Sequence, residues 1–454
     1  MVGSGILGTS GKTLQQTGSP LTLLTLWGVG GMMALAGALT VAELGTRLPK
    51  AGGDYVFVRA AFGSAVGFVF GWCNLLFTMA GPIAWISLLT VAYVAPDDFR
   101  SDGLVDETAA TAVIATFTFL HCLGQRQSAW VQNITTLVKL GVFLAFAGLG
   151  FASGNGDLEH FSQGGSAIAK AGWVGLAVNL TYVLYAYSGW NGAAYLAGEI
   201  RDPKRNIPRS LIVGSLMVTA LYLLLNALYV YAVPMTQIES SSPEEVTKIA
   251  ALAGARLFGD EVSRVLSIVF GVGMLASISA LLFTAPRIAF MMARDGLMPR
   301  FVGRLHPTGN APAAATVLVG LLSTAIVWSG NSDQILDFTA VGLTAMSGLT
   351  VASVFPLRGR RDLPQGYRTP LFPLTPIFFL LLTAMIVVLT IRSSDTVAID
   401  LLGRTWRLNM GQLSLASVFL GFPVYYAYIG LQRLVGARDV PRDESNDGDA
   451  ERGN

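Results

Sequence analysis

The sequence predicts an all-α integral membrane fold. Of its 454 residues, 52% are hydrophobic and only 13% are charged, about half the charged share of a soluble domain. Apolar runs of about 20 residues, enough to cross a hydrocarbon core about 30 Å thick, recur along the chain. Basic residues collect in alternate loops, as they do when a chain threads back and forth through a bilayer.

The first element is short. Met1 to Leu7 opens on Gly3-Ser4-Gly5 with no apolar stretch before it, and polar residues follow from Thr9 to Ser19. That is too short for a span or a signal peptide. It reads as the second half of a first helix whose first half is missing, through a misplaced start or a fragmentary record. Full spans are expected at about 21–46, 65–94, 108–124, 129–152, 173–200, 208–233, 262–292, 312–329, 336–356, 371–391 and 410–432. With the fragment as span 1, the stretch 173–200 is span 6 and 410–432 is span 12. The segment 239–260 reads as a surface helix within a loop. Arg438 to Asn454 is polar, charged and poor in apolar groups, the composition of a disordered tail, which leaves 1–437 as the transmembrane region.

Charge orients these spans. Arg47, Lys50 and Arg59 follow span 2, and Arg201, Lys204, Arg205 and Arg209 follow span 6. Arg294, Arg300 and Arg304 follow span 8, and Arg358, Arg360, Arg361 and Arg368 follow span 10. The intervening loops at Asp97–Glu107 and Asp157–Glu159 are mostly acidic. The positive-inside rule then places the ends of the even-numbered spans, and the C-terminus, in the cytoplasm.

Two spans carry interruptions. Trp173 to Ile200 covers about 28 residues, longer at roughly 1.5 Å each than a bilayer core requires, and Ser188-Gly189 falls near its middle. Gly3-Ser4-Gly5 interrupts span 1 five spans earlier, and an odd number of spans per repeat inverts the second copy. Irregular backbone in a membrane is tolerated only where it is buried in protein or lines a polar cavity. Paired breaks in corresponding positions of two halves point to a transporter binding site. The free N–H groups where a half-helix starts attract a carboxylate. Free carbonyls where another ends accept from an ammonium, so the pair suits a zwitterion. The aromatics Tyr185 and Tyr187 directly precede the second break.

Lys139 lies about ten residues, roughly 15 Å, into span 5, with a long apolar run after it. A cation at that depth is normally paired or faces a cavity, so Lys139 is a structural or coupling cation rather than a snorkelling one. Glu43, Arg287 and Glu199 lie nearer span ends, where a solvated or interfacial role is expected. Trp72, Trp85, Trp130 and Trp173 read as core or interface anchors. Asn133-Ile134-Thr135 matches a glycosylation sequon by chance, since it would face the cytoplasm. The two cysteines, Cys73 and Cys122, lie in apolar runs and the three histidines are far apart. No disulfide framework, metal site or other cofactor is expected, and a net charge of +2 gives no pointer to nucleic acid.

Several stretches together resemble the amino acid–polyamine–organocation (APC) superfamily of transporters. They are GSGI in span 1, AELGTRLPKAGGDYVFVRAAFG after span 2 and VQNITTLVKL in span 5. YAYSGWNGAAYLAGEIRDPKRNIPRS at span 6 and LLFTAPRIAFMMARDGLMP at span 8 complete the set. Within that superfamily the prokaryotic L-type amino acid transporters (LAT group) are most alike, and the likeness covers nearly the whole chain. It implies a LeuT-like fold of two inverted five-helix repeats, here 1–152 and 173–356, plus two helices within 371–432. It further implies sodium-independent uptake or exchange of amino acids. Gly3, Ser4 and Gly5 match the unwound segment whose backbone holds the substrate carboxylate. Tyr185, Ala186, Tyr187, Ser188 and Gly189 match the segment that takes the amine and gates the site, with Tyr185 at the gating aromatic. Asn191 falls where the family can place a polar residue near the substrate. Lys139 matches the lysine that replaces a sodium ion, bracing span 1 against spans 5 and 8. The missing first half-helix departs from the family, because it normally moves to open the cytoplasmic gate. The family's animal members bond an ancillary glycoprotein through a cysteine in the loop after span 3. That loop has none here, between Pro96 and Glu107, so no disulfide-linked subunit is expected.

The reading is a secondary carrier of small, neutral amino acids working by alternating access, with no covalent chemistry. A carrier of cationic amino acids or polyamines, with proton coupling, would favour an acidic group at the site, and none lies near the span 6 break. An intramembrane enzyme would need paired carboxylates, a Ser/His pair or a metal cluster at membrane depth. A sensor would add a soluble domain. A channel differs from a carrier in lacking counterflow.

Overall fold

The computed structural model describes residues 3–50, 52–95, 103–123, 128–195, 197–305, 312–393, 396–401 and 404–434. The tail 438–454 and the part of the loop after span 3 from 96 to 102 lie outside them. The described chain is almost wholly helical. Two short helices, α1 (Gly5–Gly8) and α2 (Ser10–Thr17), run nearly end to end, joined through Thr9 in right-handed backbone. The Thr9 hydroxyl donates to the Gly5 carbonyl at 2.9 Å. In this way the polar stretch after Gly5 satisfies its own groups and stays helical although it is not apolar.

The next helix, α3 (Pro20–Arg47), starts where Ser19 accepts from the Thr22 amide and Pro20 occupies the first turn. Next come α4 (Asp54–Cys73) and α5 (Gly81–Val94), joined by a π-helical turn over Asn74–Ala80. A kink at Gly63 in α4 explains why the apolar span reads from 65 although the helix begins at Asp54. Then follow α6 (Gly103–Leu123), α7 (Ser128–Ala152) and α8 (Ala167–Ala186), the last kinked at Gly172 just before the expected span. The run 173–200 is not one helix. It stops at Ala186, turns through 187–191, and resumes only as α9 (Gly192–Tyr195) and a 3-10 turn at Ala197–Glu199.

Beyond it lie α10 (Pro203–Ala232), α11 (Met235–Ser240), α12 (Pro243–Thr247), α13 (Ile249–Phe258) and the long α14 (Asp260–Arg294). The second half continues with α15 (Ala313–Val327), α16 (Ser332–Ala352), α17 (Val354–Arg358) and α18 (Leu374–Thr390). A hairpin of β1 (Thr396–Leu401) and β2 (Arg404–Asn409) leads into α19 (Met410–Leu434). Seven of these helical stretches are long and apolar enough to cross a membrane, and shorter apolar helices include α15 and α18.

Two expectations need correction. The segment 239–260 is not a surface helix. It breaks into α11, α12 and α13, and Val246, Ile249, Ala250, Ala253 and Leu257 are buried. Its apolar residues recur at helical spacing because one face packs down on α2 and α14. Glu43 is not solvated: it is buried, with Arg358 Nη1 at 3.3 Å and the Thr369 amide donating to its carboxylate at 2.8 Å. Its place near a helix end hid this, since the loop before α18 folds back over it. Between the last two expected spans, where no element was assigned from the sequence, the structure adds the β1–β2 hairpin. Asn409 Nδ2 ties it to the carbonyls of Ile391 and Ser393 at 2.7 and 3.0 Å.

Candidate functional site

The starts and stops of α1 and α8 meet. A methyl group built on Gly5 would lie 2.3 Å from the Ala186 Cα, far inside contact distance. Only a residue without a side chain allows the two backbones to cross this closely. At the end of α8 the Tyr187 amide donates to the Val183 carbonyl at 3.0 Å and the Ser188 amide to the Tyr185 carbonyl at 3.0 Å. Gly189 then turns the chain with φ +89°, in the left-handed region that favours glycine. The Ala186 carbonyl accepts from the Tyr222 hydroxyl of α10 at 3.1 Å, so one of the carbonyls freed by the break already has a partner.

Around this crossing is a cavity of ≈ 480 Å³. Gly3, Ser4 and Gly5 form one side of its wall, and Tyr185, Ala186, Ser188, Gly189 and Asn191 another. Lys139 of α7 also faces it, its ammonium donating to the Ser277 hydroxyl of α14 at 2.9 Å. Every residue proposed from the sequence for the substrate site, and Lys139 with them, is therefore in the wall except Tyr187. Its ring is buried against Trp27 and Tyr222, at centroid distances of 5.7 and 5.1 Å, and its hydroxyl donates to the Trp27 carbonyl at 3.0 Å. Tyr187 anchors the break rather than lining the cavity. Tyr185 and Ala186, expected within the unwound stretch, are the last residues of α8. Tyr185 packs edge-on against Trp85 at 5.2 Å, and its buried hydroxyl has no hydrogen-bond partner among the described residues. A buried unpaired hydroxyl is costly unless a bound molecule or water satisfies it.

Sequence reading missed other parts of the wall. Thr78 and Met79 come from the π-helical turn, Thr136 from α7, and Ser277 and Thr284 from α14. Thr136 and Thr284 stand inside the stretches VQNITTLVKL and LLFTAPRIAFMMARDGLMP but were not singled out there. Thr78, Met79 and Ser277 stand in no motif, and a π turn, although frequent at functional sites, leaves no mark on apolar periodicity. Asn191 has a second role. Its Nδ2 donates to the buried Asp54 carboxylate at the start of α4, which also accepts from the Tyr195 hydroxyl at 3.3 Å. Asp54 stays behind Asn191, outside the wall, and among the described residues no aspartate or glutamate lines it. Such a chamber can hold a small polar molecule by backbone groups, hydroxyls and one ammonium. Among the described residues no group of three His, Cys, Asp or Glu side chains is placed to hold a metal ion.

Comparison with known proteins bears on this arrangement. Residues 1–399 match the family described as amino acid permease. The chain is 27% identical to the mouse b(0,+)-type amino acid transporter 1, over 96% of this chain and 87% of that protein. It is also 27% identical to the serine/threonine exchanger SteT of Bacillus subtilis, over 94% of this chain and 93% of that one. The human cystine/glutamate transporter is 27% identical over 94% of this chain and 82% of its own length.

Proposed function

The chain belongs to the amino acid permease family, and from that premise we propose that it carries small neutral amino acids across the cell membrane, sodium-independently, by alternating access. Amino acid transport is common to the relatives that it matches. The finer reading rests chiefly on one observation: the backbone of Gly5 crosses Ala186 at the wall of a ≈ 480 Å³ cavity. The substrate carboxylate lies at Gly3, Ser4 and Gly5, where the first turn of α1 offers N–H groups with no intrahelical acceptor. The ammonium lies at the end of α8, among the carbonyls from Tyr185 to Gly189, and Asn191 contributes its polar side chain. Tyr185 closes over the bound molecule. Lys139 supplies, through α14, the fixed positive charge that a sodium ion would otherwise bring.

The two halves 1–152 and 173–356 act as inverted repeats of a LeuT-like fold, with α18 and α19 outside them and the C-terminus in the cytoplasm. Among the described residues no carboxylate lines the cavity wall, which favours neutral substrates, because a cationic side chain would find no counter-charge there. Asp54, one hydrogen bond behind Asn191, is the observation that keeps a cationic amino acid or amine carrier as the rival. Uptake of a panel of labelled amino acids into proteoliposomes, with and without internal amino acid, decides between them. Stimulation by internal neutral amino acids is expected. Uptake confined to cationic members would select the rival, passive conductance without counterflow would indicate a channel, and no uptake at all would sink the amino acid reading.

A further inference from the structure

The face that bears the basic loops holds another cavity, also ≈ 480 Å³, walled by the ends of α3 and α17 and the segment 359–368. Arg47, Arg358, Arg360, Arg361 and Arg368 all stand around it. Arg358 is matched by Glu43 at 3.3 Å and Arg360 by Asp362 at 2.5 Å. Among the described residues no carboxylate comes within ion-pair range of Arg47, Arg361 or Arg368. Arg47 is held in place by its Nη2, which donates to the Arg360 carbonyl at 2.8 Å, while its buried Nε has no partner. A buried guanidinium N–H without an acceptor is unfavourable until an anion or water supplies one. Planar guanidinium groups match the oxygens of phosphate in pairs.

The apolar surface beside the cavity adds a second indication. Arg358 lies over the Phe372 ring at 3.8 Å, and Leu371 and Leu374 next to it are 77% and 67% exposed. Farther along α18, Phe378 and Leu381 are exposed as well. A cluster of arginines bordered by outward-facing apolar side chains fits a molecule with a phosphate at one end and hydrocarbon at the other.

We propose that this arginine-lined cavity is a binding site for a phosphate-bearing anion, of the kind that an anionic phospholipid headgroup presents. Arg47, Arg361 and Arg368 hold the phosphate, and acyl chains run along Leu371, Leu374 and Phe378. The site is independent of what the carrier moves. It would couple the inner ends of α3 and α17 to the charge of the surrounding leaflet.

The test uses the full chain, delipidated in detergent, with native mass spectrometry to count bound phosphatidylglycerol against phosphatidylcholine. Inorganic phosphate and pyrophosphate serve as competitors. Preference for phosphatidylglycerol is expected, falling about 25-fold in the Arg361→Gln/Arg368→Gln double variant if each arginine is worth about a factor of five. Both side chains are exposed, so the variant keeps its melting temperature in lipid-free detergent. Arg47→Gln alone, which removes the buried Nε donor, lowers the same preference. If inorganic phosphate displaces the lipid and binds in the same arginine-dependent way, the site serves soluble phosphate as well. If it does not, the lipid is the source. Equal retention of phosphatidylcholine, or binding unchanged in both variants, would overturn the proposal.

Discussion

Replacing Gly5 by alanine is the most direct test of the crossing between α1 and α8. The new methyl would start 2.3 Å from the Ala186 Cα and 2.4 Å from its Cβ. Carbon atoms rest at about 3.5 Å or more, so the two segments must separate by about 1.2 Å or strain by a comparable amount. Neither neighbour is the flexible end of a side chain. Overpacking of this kind costs about 1–3 kcal/mol. If substrate binding requires the closed crossing, that energy is drawn from binding and lowers affinity about 5- to 150-fold. Equilibrium binding of a labelled amino acid to purified protein, alongside the KM of proteoliposome uptake, would measure it. Gly148→Ala is the control, because Gly148 has nothing within 4 Å of the added methyl and lies outside the cavity wall. A folded Gly5→Ala protein with unchanged affinity would refute the view that the two interruptions form one site.

Three further changes probe separate contacts. Lys139→Ala removes the ammonium facing Ser277, and sodium-free uptake should fall sharply; wild-type uptake in this variant would end the bracing role. Asn191→Ala takes a donor from buried Asp54 and leaves Tyr195 in place. A loss of about 1–3 kcal/mol is expected, visible as a lower melting temperature and weaker substrate binding together, and either effect without the other would separate anchor from ligand group. Glu43→Gln leaves Arg358, stacked on Phe372, without its counter-charge. Because Arg358 is partly exposed, the expected cost is also about 1–3 kcal/mol, with KM unchanged. A shifted KM would show that this contact reaches the substrate site.

The sequence made the membrane class and most helix positions legible, since long apolar runs have few alternatives in water or lipid. Even the kinks at Gly63 and Gly172 fall where the apolar spans begin. The crossing of Gly5 and Ala186 could be anticipated because small residues interrupt both spans. Other features follow from tertiary packing and leave weaker traces. Glu43 looked solvated because nothing local foretells that Arg358 and Thr369, more than 300 residues later, will reach it. Tyr187 was expected at the site beside Tyr185 because order along the chain does not say which of two aromatics beside a break turns inward. The β1–β2 hairpin did carry a signal, an alternation of apolar and polar residues on either side of Leu402-Gly403, masked by the long helices flanking it. The wall contributed by Thr78 and Ser277 had no comparable signal, because single hydroxyls in apolar helices are common.

The way the turn after α8 is fastened has a mechanical consequence. At one end Tyr187 is lodged among Trp27 of α3 and Tyr222 of α10. At the other, Asn191 is hooked to Asp54 of α4. If α4 swings away from the α3–α10 pair, the strap of Ser188, Gly189 and Trp190 must take up the slack. Gly189 is the link with the widest torsional latitude, so a strap whose Ser188 and Gly189 border the cavity would also register the tilt of one helix against the others.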